Sequence, residues 1–96
     1  MILNFRDEAT EDIFNGVASK KALKIPQKLW RIARRKLDML NAAHELSDLT
    51  VPPANRLEAL KGDLKDFHSI RIDDQYRLLF KWVEHSALDV RITDYH

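Results

Sequence analysis

Hydrophobic positions change their period once along this chain, from a helical spacing in the N-terminal half to alternation in the C-terminal half. Ile2, Leu3 and Phe5 predict a short opening strand. Asp7 then suits a helix N-cap, with Glu8 and Glu11 in the electropositive first turn, and a helix from about Asp7 to Phe14 is expected to stop at Asn15-Gly16. The small, basic segment from Val17 to Ile25 leads to Pro26, which fits the first turn of a longer second helix. On that helix Leu29, Ile32, Ala33, Leu37, Leu40 and Ala43 form one apolar face, and Lys28, Arg31 and Arg35 fall opposite. Pro52-Pro53 prevents helix continuation, and Arg56 to Lys61 is compatible with either a strand or a turn of helix. From Phe67 onward, residues 67–72, 76–82 and 88–93 predict an antiparallel meander that turns at Asp73-Asp74-Gln75 and at Glu84-His85-Ser86. By alternation Ile70, Ile72, Tyr76, Leu78, Phe80, Trp82, Leu88, Val90 and Ile92 share a core face, while Arg71, Arg77, Lys81 and Arg91 point away from it.

The predicted architecture is therefore α+β: a mostly antiparallel sheet of three to five strands packed on two N-terminal helices. At 96 residues the chain is expected to form one domain over its whole length. Hydrophobic residues at 45% and charged ones at 32%, with two glycines, exclude collagen-like and disordered classes. Cysteine is absent, which excludes a disulfide-stapled scaffold, a thiolate metal site and a cysteine nucleophile. No apolar run approaches the roughly 20 residues of a membrane span, and the N-terminus has no signal-peptide layout, so a cytoplasmic protein without a membrane partner is expected.

Charge changes this picture. The net charge is +1, yet residues 20–36 hold eight basic side chains and no acid, whereas residues 1–19 hold one base and four acids. Such a belt fits a polyanionic partner or, equally, the solvated back of a helix.

His44, His68, His85 and His96 are too far apart to suggest a metal pair, and the isolated Gly16 and Gly62 make no phosphate loop, so neither metal nor cofactor is expected. His68 and Ser69 are neighbours on a strand and point to opposite faces, against a local hydrolase dyad. What remains is the polar sheet face with Lys61, Arg71, Arg77 and the terminal Asp94-Tyr95-His96. Fixed cations beside an acid and an imidazole suit phosphodiester cleavage, and an aromatic ring offers a base a stacking platform. From the residues alone, a charged face bathed in solvent with a fraying terminus is the preferred reading.

The runs 35–43, Pro52-Pro-Ala-Asn-Arg-Leu-Glu-Ala-Leu-Lys-Gly-Asp63, Ser69-Ile-Arg-Ile-Asp-Asp-Gln-Tyr-Arg77 and the closing Asp94-Tyr95-His96 resemble the HigB toxins, also called the GraT or plasmid-maintenance killer group, of the RelE superfamily. The resemblance covers essentially the whole chain. It implies a type II toxin that enters the ribosomal A site and cuts mRNA without a metal, with the RNA 2′-hydroxyl as nucleophile. It also implies a HigA-like helix-turn-helix antitoxin, with operator DNA bound by the pair.

Carried over by position, Lys61 would stabilise phosphate charge, Arg71 would clamp a phosphate, and Asp94, Tyr95 and His96 form the terminal functional trio. Glu58 stands where some members have histidine, so Glu58, Asp94 and His96 are all candidates for the general base. Arg77 matches a common position, with an RNA-binding or a structural role open. Lys28, Arg31 and Arg35 become candidate ribosomal-RNA contacts. A non-catalytic RNA- or ribosome-binding module, and a toxin-like fold that has become a structural partner, are the alternatives.

Overall fold

In the computed structural model, which describes residues 1–94, Asp7 starts the first helix from an extended backbone (φ −140°), its carboxylate accepting the Thr10 N–H at 2.8 Å. Helix α1 spans Glu8–Asn15 and ends on Gly16 at φ 74°. Gly16 N–H bonds the Ile13 carbonyl at 3.2 Å and Val17 N–H that of Asp12 at 2.8 Å, the paired bonds of a left-handed helix stop. The Thr10 hydroxyl, fully buried, accepts the Ile92 N–H at 2.9 Å and so fastens α1 to the last strand of the sheet.

The second helix begins later than its proline suggests. Gln27–Leu29 form a 3₁₀ turn after Pro26, and α2 runs Trp30–Ala42. Its buried stripe is Leu29, Ala33, Leu37, Leu40 and Ala43. Ile32, expected on that stripe, is 37% exposed, because it lies about 100° around the helix from Ala33 and beyond the contact with the sheet. Two 3₁₀ turns, Leu46–Thr50 and Pro53–Asn55, carry the chain past the prolines. Buried Asn55 holds them together: its amide donates to the Leu49 carbonyl at 3.1 Å and to that of Val51 at 3.4 Å.

Four strands follow, β1 Glu58–Ala59, β2 Phe67–Arg71, β3 Tyr76–Val83 and β4 Ser86–Asp94, all antiparallel in the order β1-β2-β3-β4. The ambiguous segment after Arg56 is thus a two-residue edge strand. The opening residues do not form a full strand: Ile2 and Phe5 make isolated parallel bridges to Ala87 and Val90.

Ile70, Ile72, Leu78, Phe80, Val90 and Ile92 pack against α1 and α2, with Tyr76 and Trp82 at the margin. Leu88 departs from the expected alternation. Between the pairs Leu79↔Arg91 and Lys81↔Leu88, Phe80 faces two residues of β4, and Asp89 takes φ 52° in this bulge. Ala87 therefore occupies the core position expected of Leu88. No helix among the described residues is long and apolar enough to cross a membrane.

Candidate functional site

The face of the sheet turned away from the helices carries Phe67, Ser69 and Arg71 on β2, Arg77, Leu79 and Lys81 on β3, and Arg91 on β4. It is not a uniformly wetted polar face. Leu60, Phe67 and Leu79 form a second buried cluster there, with Leu64 against it. Lys81 Nζ lies 5.3 Å and the Arg91 guanidinium 5.8 Å from the Phe67 ring centre, and Lys81 pairs with Asp89 at 3.6 Å. The buried Phe67 ring holds these two cations at fixed places.

Arg71 and Arg77 sit directly across from one another in the β2–β3 register. Like charges in that position repel, so each guanidinium needs its own anchors. Arg77, with a side chain only 12% exposed, donates from Nε to Ser69 Oγ at 2.8 Å and from Nη2 to the Arg56 carbonyl at 2.6 Å, and it lies 3.9 Å from Glu58 Oε1. It therefore ties β1 and the preceding turn to the middle of the sheet. Arg71 donates from Nε to the Asp73 carbonyl at 3.2 Å and pairs with Asp74, whose side chain is 95% exposed.

The turn supplying those partners is shaped by Asp73. Its Oδ1 accepts Gln75 N–H at 2.9 Å and Tyr76 N–H at 2.7 Å, the local bonding that makes aspartate a turn residue. Gln75 Nε2 in turn donates to Asp94 Oδ2 at 2.8 Å, which draws the end of β4 to the hairpin. Glu58, Arg71 and Arg77 thus lie toward one end of the outer face, whereas Asp94, expected with them, pairs with Tyr76 at that end and by alternation belongs to the side of the sheet turned to the helices. Tyr95 and His96 lie outside the described residues.

Lys61 stands apart from that group. Leu60 N–H bonds the Phe67 carbonyl at 2.9 Å, so the chain leaves the sheet at the Phe67 end of β2. The backbone there is four residues, about 13 Å, from Arg71. Lys61 opens the 3₁₀ turn Gly62–Leu64, is exposed, and has no side-chain hydrogen bond or ion pair among the described residues.

His68 and Ser69 point to opposite faces, as alternation requires. His68 stacks on Phe80 at 6.0 Å between ring centres, and its Nδ1 is buried without a partner among the described residues. Among the described residues no three His, Asp or Glu side chains gather in a way that would hold a metal ion.

The basic belt divides into structural and free members. Lys21 pairs with Glu8 at 2.7 Å. Lys36 turns inward to donate to Asn55 Oδ1, and burial, reinforced by Arg35, holds its pKa below the ordinary lysine value. Lys28, Arg31 and Arg35 are exposed. The anchors Ser69, Asp74 and Gln75 escaped the sequence reading; only the Asp-Asp-Gln turn signal pointed toward two of them. Arg56, at φ 46°, offers its carbonyl to Arg77 with no sequence cue at all.

Over residues 3–96 the chain matches the HigB-like toxins, the RelE-like toxins of the type II toxin-antitoxin system HigB. It is 43% identical over 89 residues, 93% of this chain and 92% of the relative, to Toxin HigB-1 of Vibrio cholerae serotype O1. An uncharacterized protein of Haemophilus influenzae is 46% identical over 59 residues, 62% of this chain and 58% of the relative.

Proposed function

Because this chain belongs to the RelE-like HigB toxins of type II toxin-antitoxin systems, we propose that it is a ribosome-dependent mRNA endoribonuclease, working without a metal in the cytoplasm. The observation that carries this reading is the cross-strand pairing of Arg71 with Arg77 on the outer sheet face, with the Glu58 carboxylate 3.9 Å from Arg77. Membership implies an antitoxin. A HigA-like helix-turn-helix protein is the proposed inhibitor, and operator DNA the ligand of the pair.

In the proposed reaction a general base removes the proton of an RNA 2′-hydroxyl, and that oxygen attacks the adjacent phosphorus. The 5′-oxygen departs and takes up a proton, leaving a 2′,3′-cyclic phosphate and a 5′-hydroxyl. Glu58, Asp94 and His96 are the candidates for the base, and Tyr95 is assigned to stack on a base of the codon. Arg71 neutralises charge on the phosphoryl oxygens, worth about 3 kcal/mol if it acts as a fixed oxyanion donor does, and Lys61, about 13 Å away along the backbone of β2, joins it on the same phosphate with its side chain extended.

Arg71 suits this part because its ion pair is with an exposed aspartate, a surface contact worth about 0–1 kcal/mol that a phosphate can displace. Arg77 has Nε and Nη2 engaged within the protein and its side chain largely buried, so its share is the positive field and the placement of Glu58. Lys28, Arg31 and Arg35 supply affinity for ribosomal RNA.

End-group analysis of the cut mRNA tests the chemistry. A 2′,3′-cyclic phosphate on the upstream fragment is expected, and a plain 3′-hydroxyl would refute attack by the 2′-oxygen. Ribosome binding without any cut would instead identify a non-catalytic binding module.

A further inference from the structure

A cleft of about 560 Å³ opens between the C-terminal end of α1 and the start of α2, lined by none of the residues assigned to the chemistry above. Its apolar part is built from Ile13, Val17 and Trp30, and its rim from Arg31, Arg34 and Arg35. Val17 is 49% exposed, an apolar side chain left open to water at the cleft mouth. The Trp30 indole N–H donates to the Ile25 carbonyl at 2.9 Å, which fixes the ring in place and leaves it no free donor. Arg34 is also placed: a Cβ on Gly16 would lie 3.2 Å from its Nη1, so its guanidinium rests on the glycine that caps α1.

These three arginines have neither an ion pair nor a side-chain hydrogen bond among the described residues. Elsewhere on the surface Lys21 and Lys81 do have carboxylate partners. Arg31 and Arg35 stand one turn apart, a like-charge spacing that weakens a helix. Asp38 is the one acid among the described lining residues. The cleft thus combines an apolar floor with an unneutralised cationic rim, and its complement is a surface with the reverse charge and one apolar projection.

We propose that this cleft receives an acidic amphipathic segment of the antitoxin, an apolar side chain against Ile13, Val17 and Trp30 and carboxylates on Arg31, Arg34 and Arg35. The inference rests on membership of the toxin family and not on mRNA cleavage. Charge complementarity alone would also admit RNA. RNA phosphates would satisfy the arginines, but Trp30 and Val17 line the cleft with aliphatic Ile13 between the helices, and a branched aliphatic side chain flanked by carboxylates fills that space better than a flat base, so an amphipathic peptide is the better complement. Arg31 and Arg35 then serve the ribosome in the free toxin and the antitoxin in the complex.

The test is a titration of the toxin with the antitoxin encoded alongside it, over a salt series, in parallel with binding to intact ribosomes. Reversing the rim in Arg31→Glu/Arg34→Glu/Arg35→Glu is expected to weaken antitoxin binding by about 100-fold or more and to flatten its salt dependence. Val17→Gln is expected to weaken antitoxin binding roughly fivefold and to leave ribosome affinity unchanged. All four side chains are exposed, so melting temperatures should hold; should the triple variant fail to fold, Arg31→Ala and Arg35→Ala read the same effect.

Unchanged antitoxin affinity in both variants would overturn the proposal. So would loss of ribosome affinity alone in the rim variant, which would give the cleft to ribosomal RNA. A wild-type toxin that cuts no mRNA, with variants that still lose the antitoxin, would refute the nuclease reading and uphold this one.

Discussion

Replacing Arg77 by alanine should destabilise the protein more than replacing any other charged side chain on the outer sheet face. The side chain is 12% exposed and donates to the Ser69 hydroxyl at 2.8 Å and the Arg56 carbonyl at 2.6 Å. Hydrogen bonds from a charged donor contribute roughly 1.5–3 kcal/mol each, and the Arg56 residue is exposed, so its bond belongs at the low end. The Glu58 contact, at 3.9 Å with a 53% exposed carboxylate, adds little. The expected cost is about 3 kcal/mol, within a total stability of only about 5–15 kcal/mol. For a domain of this size that lowers the melting temperature by roughly 12–24 °C.

Arg77→Lys separates charge from geometry. A single ammonium cannot span both acceptors, so roughly half the loss should remain while the positive field is kept. Thermal melts by circular dichroism, run beside ribosome binding on the same samples, provide the reading. An Arg77→Ala protein that melts within about 2 °C of the wild type but binds ribosomes poorly would refute the anchoring argument and place Arg77 in the RNA interface.

Lys61→Ala and Arg71→Ala should each lower single-turnover cleavage on ribosomes by about 100-fold or more with the fold intact; wild-type rates in both would remove them from the proposed site. Deleting Tyr95 and His96 should cost no more than about 1 kcal/mol of stability while abolishing cleavage, and retained cleavage with an unchanged melt would reject the terminal site. Asn55→Ala should cost about 2–4 kcal/mol, because it strands the buried Leu49 carbonyl and leaves a cavity, and an unchanged urea midpoint would contradict that. Gly16→Ala should cost about 1–2 kcal/mol through left-handed strain at φ 74° and should displace Arg34; no loss in a melt would contradict the strain argument.

The helices and the meander were legible in the sequence because their signals are local. Asp7, Gly16 and the two-residue period from Phe67 each act on their immediate neighbours, and the structure follows them. Leu88 misled because a bulge adds a residue to β4, a cross-strand event that no single strand records. Ile32 misled because a spacing rule marks a face but not how wide a strip the sheet covers. The opening strand reduced to two bridges because only Ile2 and Phe5 meet β4.

At the site, the side of the sheet taken by Arg71 and Arg77 followed from alternation. Their anchors did not, since Ser69 and the Arg56 carbonyl reach Arg77 only through pairing that brings distant segments together. The arginine cleft was invisible for a similar reason. Val17 and Arg34 read separately as a loop residue and a solvated helix back, and only the packing of α1 on α2 puts them around one space.

Primer extension on one mRNA, incubated with the purified toxin in the presence and in the absence of translating ribosomes, bears most directly on the proposed activity. Cuts confined to translated codons, absent from free mRNA and absent with Lys61→Ala, are the expected result. Equal cutting of free mRNA would contradict ribosome dependence, and no cut under translation would contradict the nuclease itself.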